Sequence, residues 1–325
     1  MGRMTLEAAP PRSTSEKRTP APIVDGQRPP GAMFLVGLFV ILPTLALFAA
    51  VPLAWGWGLG WVDVALFVVF YAVSGLGVTV GFHRYFTHGS FKANRPLRIA
   101  LAIAGSISLQ GSVLDWVGDH RRHHAFSDKE GDPHSPWLYG TGASALVKGF
   151  WHSHLGWLFD RDLTNMKRFA PDLLADRDMM RVEKAFPLIV VFSLAGPALI
   201  GGLVTMSWWG AFTAFFWAGL VRVAVLHHVT WSINSICHIW GERPFASRDK
   251  SANVWWLAVL SFGESWHNLH HADPTCARHG VKKGQIDISA AVIRGFEKLG
   301  WATAVRWPTT RRLEKLSQKP VPAAA

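Results

Sequence analysis

The chain has 325 residues, half of them hydrophobic and 17% charged, with a net charge of +11. Soluble domains carry about 25% charged residues, so this deficit excludes an ordinary soluble globule and points to a membrane protein. Seventeen Trp residues agree, since indole rings favour membrane interfaces. Cys237 and Cys276 make neither a disulfide framework nor a CxxC metal spacing, and read as buried free thiols.

Residues 1–32 mix proline with charge (PPRSTSEKRTPAP) and read as a disordered cytoplasmic tail rather than a signal peptide. One domain then occupies 33–325. A bilayer core takes about 20 apolar residues in a helix. Met33–Trp55 supplies a first span, and Val64–Phe82 a second, reached through the glycine-rich turn Gly56–Trp61. Beyond Lys184 lie 37 residues without formal charge, which hold a third span at Leu188–Met206 and open a fourth, Trp208–Trp231. Ile99–Leu114 and Val254–Phe262 are short for a span and read as membrane-depth, non-spanning segments covered by protein, because crossing there would separate the histidines, described below, that must meet. The expected fold is an all-α integral-membrane protein: four transmembrane helices, with hairpins at 33–83 and 186–232, carrying a cytoplasmic helical cap from 84–185 and 233–325.

Basic residues orient the chain. Of 33 Lys and Arg, 5 fall in the tail, 14 in residues 83–185 and 13 in residues 233–325; only Arg222 lies within a span. The positive-inside rule then makes both termini and the large middle loop cytoplasmic. The positive charge faces anionic headgroups rather than nucleic acid, for which no binding motif is present.

The chain has fifteen histidines, and nine of them gather in boxes on that same side. His83 and His88 form HRYFTH, His120, His123 and His124 form HRRHH, His267, His270 and His271 form HNLHH, and His238 ends NSICH. On a helix, residues i, i+3 and i+4 share a face, so each HxxHH offers three imidazoles to one point. Imidazole suits iron, copper, zinc or nickel, so ligand type alone leaves the metal open. Nine ligands exceed what one ion uses and suit two. Glu264, three residues before His267, and Asp115, five before His120, are placed to accept a ligand's free N–H.

These boxes, with GLGVTVGFHRYFTH, DWVGDHRRHH, SHLGWL, TWSINSICH and GESWHNLHH, resemble the membrane fatty acyl desaturase family of the stearoyl-CoA desaturase type over about Phe70 to Arg278. The resemblance implies two iron ions held by the nine histidines, with Asn234 reaching the metal through water. It also implies O2 as co-substrate and a cis double bond, at the delta-9 position, in a long acyl chain. Trp231 matches a position lining the acyl path, and Asp119 and Arg161 match positions contacting CoA. Gly118, Gly111 and Asp162 stand where the family has Arg, Asn and Lys. Losing two basic contacts weakens CoA as carrier, since phosphates are held mainly by Arg and Lys. The carrier, acyl-CoA or a lipid-linked chain, therefore stays open, and the sequence also resembles bacterial forms, which implies a bacterial cytoplasmic membrane. The chain carries no dinucleotide fold and no fused haem motif, so electrons are expected from a ferredoxin or from cytochrome b5 with its reductase.

Helical geometry places Gly75 and Tyr71 about 12 and 18 Å beyond His83 along the second span, as the expected limit of acyl-chain length. The nearest competing function is a hydroxylase of alkanes, sterols or carotenoids from the same histidine-box superfamily. A metal transporter fits less well, because the first three spans carry no polar ligands. His154, His227 and His228 read as packing or hydrogen-bonding groups, and Arg222 as a partner of neighbouring helix groups.

Overall fold

The computed structural model describes residues 21–54 and 58–317. Among these, four helices are long and apolar enough to cross a bilayer: Pro30–Ala54, Trp61–Thr87, Arg177–Thr205 and Trp208–His238. The first opens on Pro30, whose fixed φ suits a helix start. The third begins eleven residues before its apolar run, because Asp176 caps it, accepting from the backbone N–H of Asp178 at 2.9 Å and Met179 at 3.3 Å. It ends at Met206 in the left-handed region (φ 49°), and Ser207 caps the next helix. The short hairpin turn expected there is present. The first and third spans turn large apolar side chains such as Phe48, Leu188 and Leu199 outward, as a lipid-facing surface requires.

The second and fourth spans carry the departures from α geometry. Trp61–Leu76 is α-helical and continues as a π-helix over Gly77–Thr87; the fourth contains a π segment at Phe215–Val221. Such segments are rare and concentrate at functional sites.

Between the second and third spans the chain forms the helix Arg95–Ser106, breaks at Ile107–Ser112 with Leu109 and Gly111 at positive φ, and resumes as Val113–Phe126. Twelve residues of helix reach about 18 Å, too little to cross a hydrocarbon core. This helix packs on the π segment through glycines: a Cβ on Gly77 would lie 2.2 Å from the backbone of Ala104 and Gly105. Val254–Phe262 likewise folds as turns and one short 3-10 segment, Trp255–Leu257. Arg222 is fully buried and donates to the carbonyls of Ala218, Ile107 and Ser193 at 2.9–3.0 Å, tying the fourth span to the third and to the helix break.

One expectation is corrected. The sequence alone extends the disordered tail to residue 32, but Val24–Gln27 is a strand paired antiparallel with Asp162–Thr164, and the first span starts at Pro30. Backbone pairing outweighs the polar composition: Asn165 N–H donates to Ile23 O at 2.9 Å and Arg28 N–H to Arg161 O at 2.8 Å. Residues 1–20, 55–57 and 318–325 lie outside the described residues, and with them the first part of the expected turn Gly56–Trp61. A second two-stranded ladder pairs Lys92–Ala93 with Ala302–Thr303. Otherwise the described residues are mostly helical, as expected.

Candidate metal centre

HRYFTH joins two histidines five residues apart. In an α-helix these would diverge by about 140°. The π-helix, whose hydrogen bonds run between residues five apart, brings them together: His88 N–H bonds His83 O at 3.2 Å, and the two ring centroids are 4.9 Å apart. The other boxes lie on the helices Val113–Phe126 and His267–Ala272, while His238 closes the 3-10 turn ending the fourth span.

All nine box histidines converge. His83, His88, His120, His124 and His270 form one group, and His123, His238, His267 and His271 a second; within each, one nitrogen per ring lies within 4.8 Å of all the others. In the first, the Nε2 atoms of His83 and His270 are 3.0 Å apart, those of His270 and His124 2.9 Å, and those of His124 and His120 3.1 Å. In the second, His267 Nε2 faces His238 Nε2 at 3.1 Å and His271 Nε2 at 3.0 Å.

Carboxylates fix the tautomers. His123 Nδ1 is 3.0 Å from Asp132, His238 Nδ1 3.0 Å from Asp128, and His271 Nδ1 2.6 Å from Asp249, while His83 Nδ1 contacts Glu264. The Nδ1 of His123, His238 and His271 donates its proton to its carboxylate, which leaves the lone pair on Nε2. Burial opposes the charge on Asp132, but the imidazoles of His123 and His134 hold its carboxyl well below the usual range. Asp249 is held low in the same way by His271 and His238. Burial, then the neighbouring imidazoles, pushes His120, His124, His267 and His270 far below the ordinary histidine value, so these rings are neutral. Buried neutral imidazoles whose nitrogens converge to about 3 Å, several with Nδ1 already held by a carboxylate, present the nitrogen donors that a transition-metal ion takes. The donor set therefore fits two transition-metal ions.

Sequence reasoning found Glu264 but missed Asp128, Asp132 and Asp249. It also missed Arg84, which is fully buried and ion-paired to Glu264 and Asp287, each at 3.0 Å. Asp115 is corrected. It is exposed and bonds Ser112, whose hydroxyl reaches Oδ2 at 3.0 Å, because it belongs to the first helical turn; it lines the wide cavity rather than bonding a ligand's ring.

Two cavities meet beside the histidines. A narrow one of 50 Å³ reaches from His83, His120 and His267 to Gly75 and Phe262; a wide one of 430 Å³ contains Asp119 and Trp231. Trp116, His120, Thr230 and Asn234 line both. At this junction Gln110 bridges Thr230 Oγ1 (2.9 Å) and the Trp116 indole N–H (3.2 Å). Burial pushes the Asp119 carboxyl up to about 6, against the bond donated by Thr164. Arg161 is exposed and lines neither cavity. Tyr71 also lines neither: it backs Phe262, with ring centroids 5.6 Å apart, and donates to Leu260 O at 2.8 Å. The floor of the narrow cavity is thus Phe262, seated against Gly75, where a Cβ would lie 2.3 Å from its ring. Much of the interval from Gly75 to His83 is π-helical, so it is shorter than α geometry implies. His154 bonds Ser235 Oγ at 3.0 Å and His228 at 3.1 Å, and His227 bonds Ser108 O at 2.9 Å, the hydrogen-bonding roles expected of them.

Apolar spans bearing two imidazole clusters define a membrane-bound metalloenzyme of the histidine-cluster class. Comparison supplies the family. The fatty acid desaturase profile matches residues 59–285. The chain is 39% identical over 279 residues to the hex-5-enoyl-[acyl-carrier protein] acetylenase of Moorena producens (strain JHB), covering 85% of this chain and 87% of that one. It is 38% identical over 257 residues to delta-9 acyl-lipid desaturase 1 of Arabidopsis thaliana, covering 79% of each. It is 36% identical over 276 residues to the sn-1 stearoyl-lipid 9-desaturase of Anabaena variabilis, covering 84% and 92%. The chain belongs to the fatty acid desaturase family, and is an oxidoreductase.

Proposed function

We propose that the protein uses O2 and two iron ions to place a cis double bond at carbon 9 of a long saturated acyl chain. The observation that carries this reading is the convergence of imidazole nitrogens in two groups of five and four, with carboxylates set against Nδ1 of His83, His123, His238 and His271. In it, His83, His88, His120, His124 and His270 hold one ion, and His123, His238, His267 and His271 the other, with Asn234 acting through water. When bound, the metal pair supplies the oxidising power that no side chain has toward an unactivated methylene. The chain's own residues orient the rings and, through the apolar cavities, position two carbons and keep water away. Trp231 and Asp119 contact the substrate in the wide cavity, and Gly75 with Phe262 limits the methyl end in the narrow one. Position 9 is supported by the names of the Arabidopsis and Anabaena relatives. None of the three relatives described is a hydroxylase.

In this reading the clusters and both termini face the cytoplasm of a bacterial membrane, as the Lys and Arg distribution indicates. A separate ferredoxin, or cytochrome b5 with its reductase, supplies the electrons. The test is expression with such a redox pair, followed by mass spectrometry of cellular lipids and acyl-CoAs. A new 9-monounsaturated chain is expected; a hydroxylated chain, or no product with the partner active, overturns the proposal.

A further inference from the structure

The wide cavity is walled on one side by a single face of the first span, through Ala32, Leu35, Val36, Phe39 and Val40. These positions follow the i, i+3, i+4 repeat of a helix stripe. Phe186 and Val190, from the start of the third span's apolar run, line it too. The first span packs instead on the fourth, through its π segment and the helix after it. The cavity therefore has the first and third spans on its outer side and His227, Thr230, Trp231 and Asn234 of the fourth span behind it, at the ends of the spans nearest the histidine clusters. Leu35, at its edge, is 50% exposed where the surroundings are lipid.

The polar side is roofed. Strand Val24–Gln27 lies along Asp162–Thr164, Asn165 Nδ2 donates to Pro22 O at 3.0 Å, and Arg28 Nη1 donates to Leu158 O at 2.8 Å. Charge agrees: among the described residues Arg28 is the one Lys or Arg lining the wide cavity, against the carboxylates of Asp115 and Asp119. That lining does not suit the several phosphate charges of CoA, which call for clustered Arg and Lys. At Gly118 a Cβ would lie 2.3 Å from Met166 Sδ, so Met166 fills the space a basic side chain would need.

Resting on the desaturase reading above, we propose that the acyl chain enters sideways from the bilayer, between the first and third spans, while still esterified to a membrane glycerolipid. The glycerol and headgroup stay at the mouth near Arg28, and the chain passes Trp231 to the histidines.

The test uses the full-length protein in phosphatidylglycerol vesicles. One sample carries a glycerophospholipid with a diazirine in its stearoyl chain, another the same stearoyl group on CoA, and crosslinked peptides are mapped by mass spectrometry. The phospholipid probe should label peptides containing Phe39, Phe186 and Trp231. Excess stearoyl phospholipid should abolish this labelling, stearoyl-CoA should not, and Val190→Trp should lose it. Labelling of these peptides by the CoA probe with competition by CoA, or lipid labelling confined to outward residues such as Phe48 and Leu199, overturns the proposal. The two readings fail separately. Cavity labelling by lipid without any double bond in cells sinks desaturation alone, while desaturation with CoA-only labelling sinks lateral entry alone.

Discussion

Asp249 shows what the residue scale adds. It stands 22 positions before His271 and shares no motif with it, yet the two side chains meet at 2.6 Å. Orienting carboxylates of this kind typically contribute about 10–100-fold to metal affinity. Asp249→Asn is therefore expected to lose that much, measured by retained iron after equilibrium dialysis; unchanged retention would show that the carboxylate does not orient the ring. At the other end of the cavity, Gly75→Leu should collide with the Phe262 ring and move the product profile toward shorter chains, while Phe262→Ala should extend it toward longer ones. An unchanged profile in both variants would remove Phe262 as the floor. The histidines were legible because metal binding imposes a local spacing. Asp128, Asp132 and Asp249 were not, because loop carboxylates meet their imidazoles only in the folded chain. Phe262 was hidden for the same reason, arriving from a segment 187 residues after Gly75 in a backbone conformation, φ 54°, that sequence does not announce.

At the scale of elements, apolar length located all four spans, and the need for His83 and His120 to meet on one side excluded a fifth at the short Ile99–Leu114 run. Lys92→Cys and Lys129→Cys flank the non-spanning helix and should both react with an impermeant maleimide from one side of the membrane; labelling from opposite sides would refute the shared site. The π-helix was not legible. Its trace was the HxxxxH spacing, which suits i, i+5 geometry and not the α-helix assumed, and the assumption overestimated the depth of Gly75. Arg222 was visible as an intramembrane charge, and its partners prove to be carbonyls rather than carboxylates. Arg222→Met leaves these acceptors without their donor and should cost roughly 3 kcal/mol, because buried unpaired polar groups cost about 1–3 kcal/mol each. A lowered thermal midpoint in detergent checks this, and an unshifted midpoint would make the network dispensable.

For the whole molecule, the distribution of Lys and Arg and the placement of the histidines led independently to one face, and the fold brings all nine rings together at the ends of the second and fourth spans. What lay beyond sequence was how the chain roofs that face, since strand pairing by residues 24–27 depends on a partner at 162–164. The central claim is that two iron ions sit in the two imidazole groups. It is tested most directly by counting iron per chain in the purified, iron-loaded protein and in His271→Ala, which removes a ring from the second group only. Two ions per chain, with the second group's ion weakened or lost in the variant and the first retained, is the predicted result; one ion per chain, or a count indifferent to His271, would contradict it.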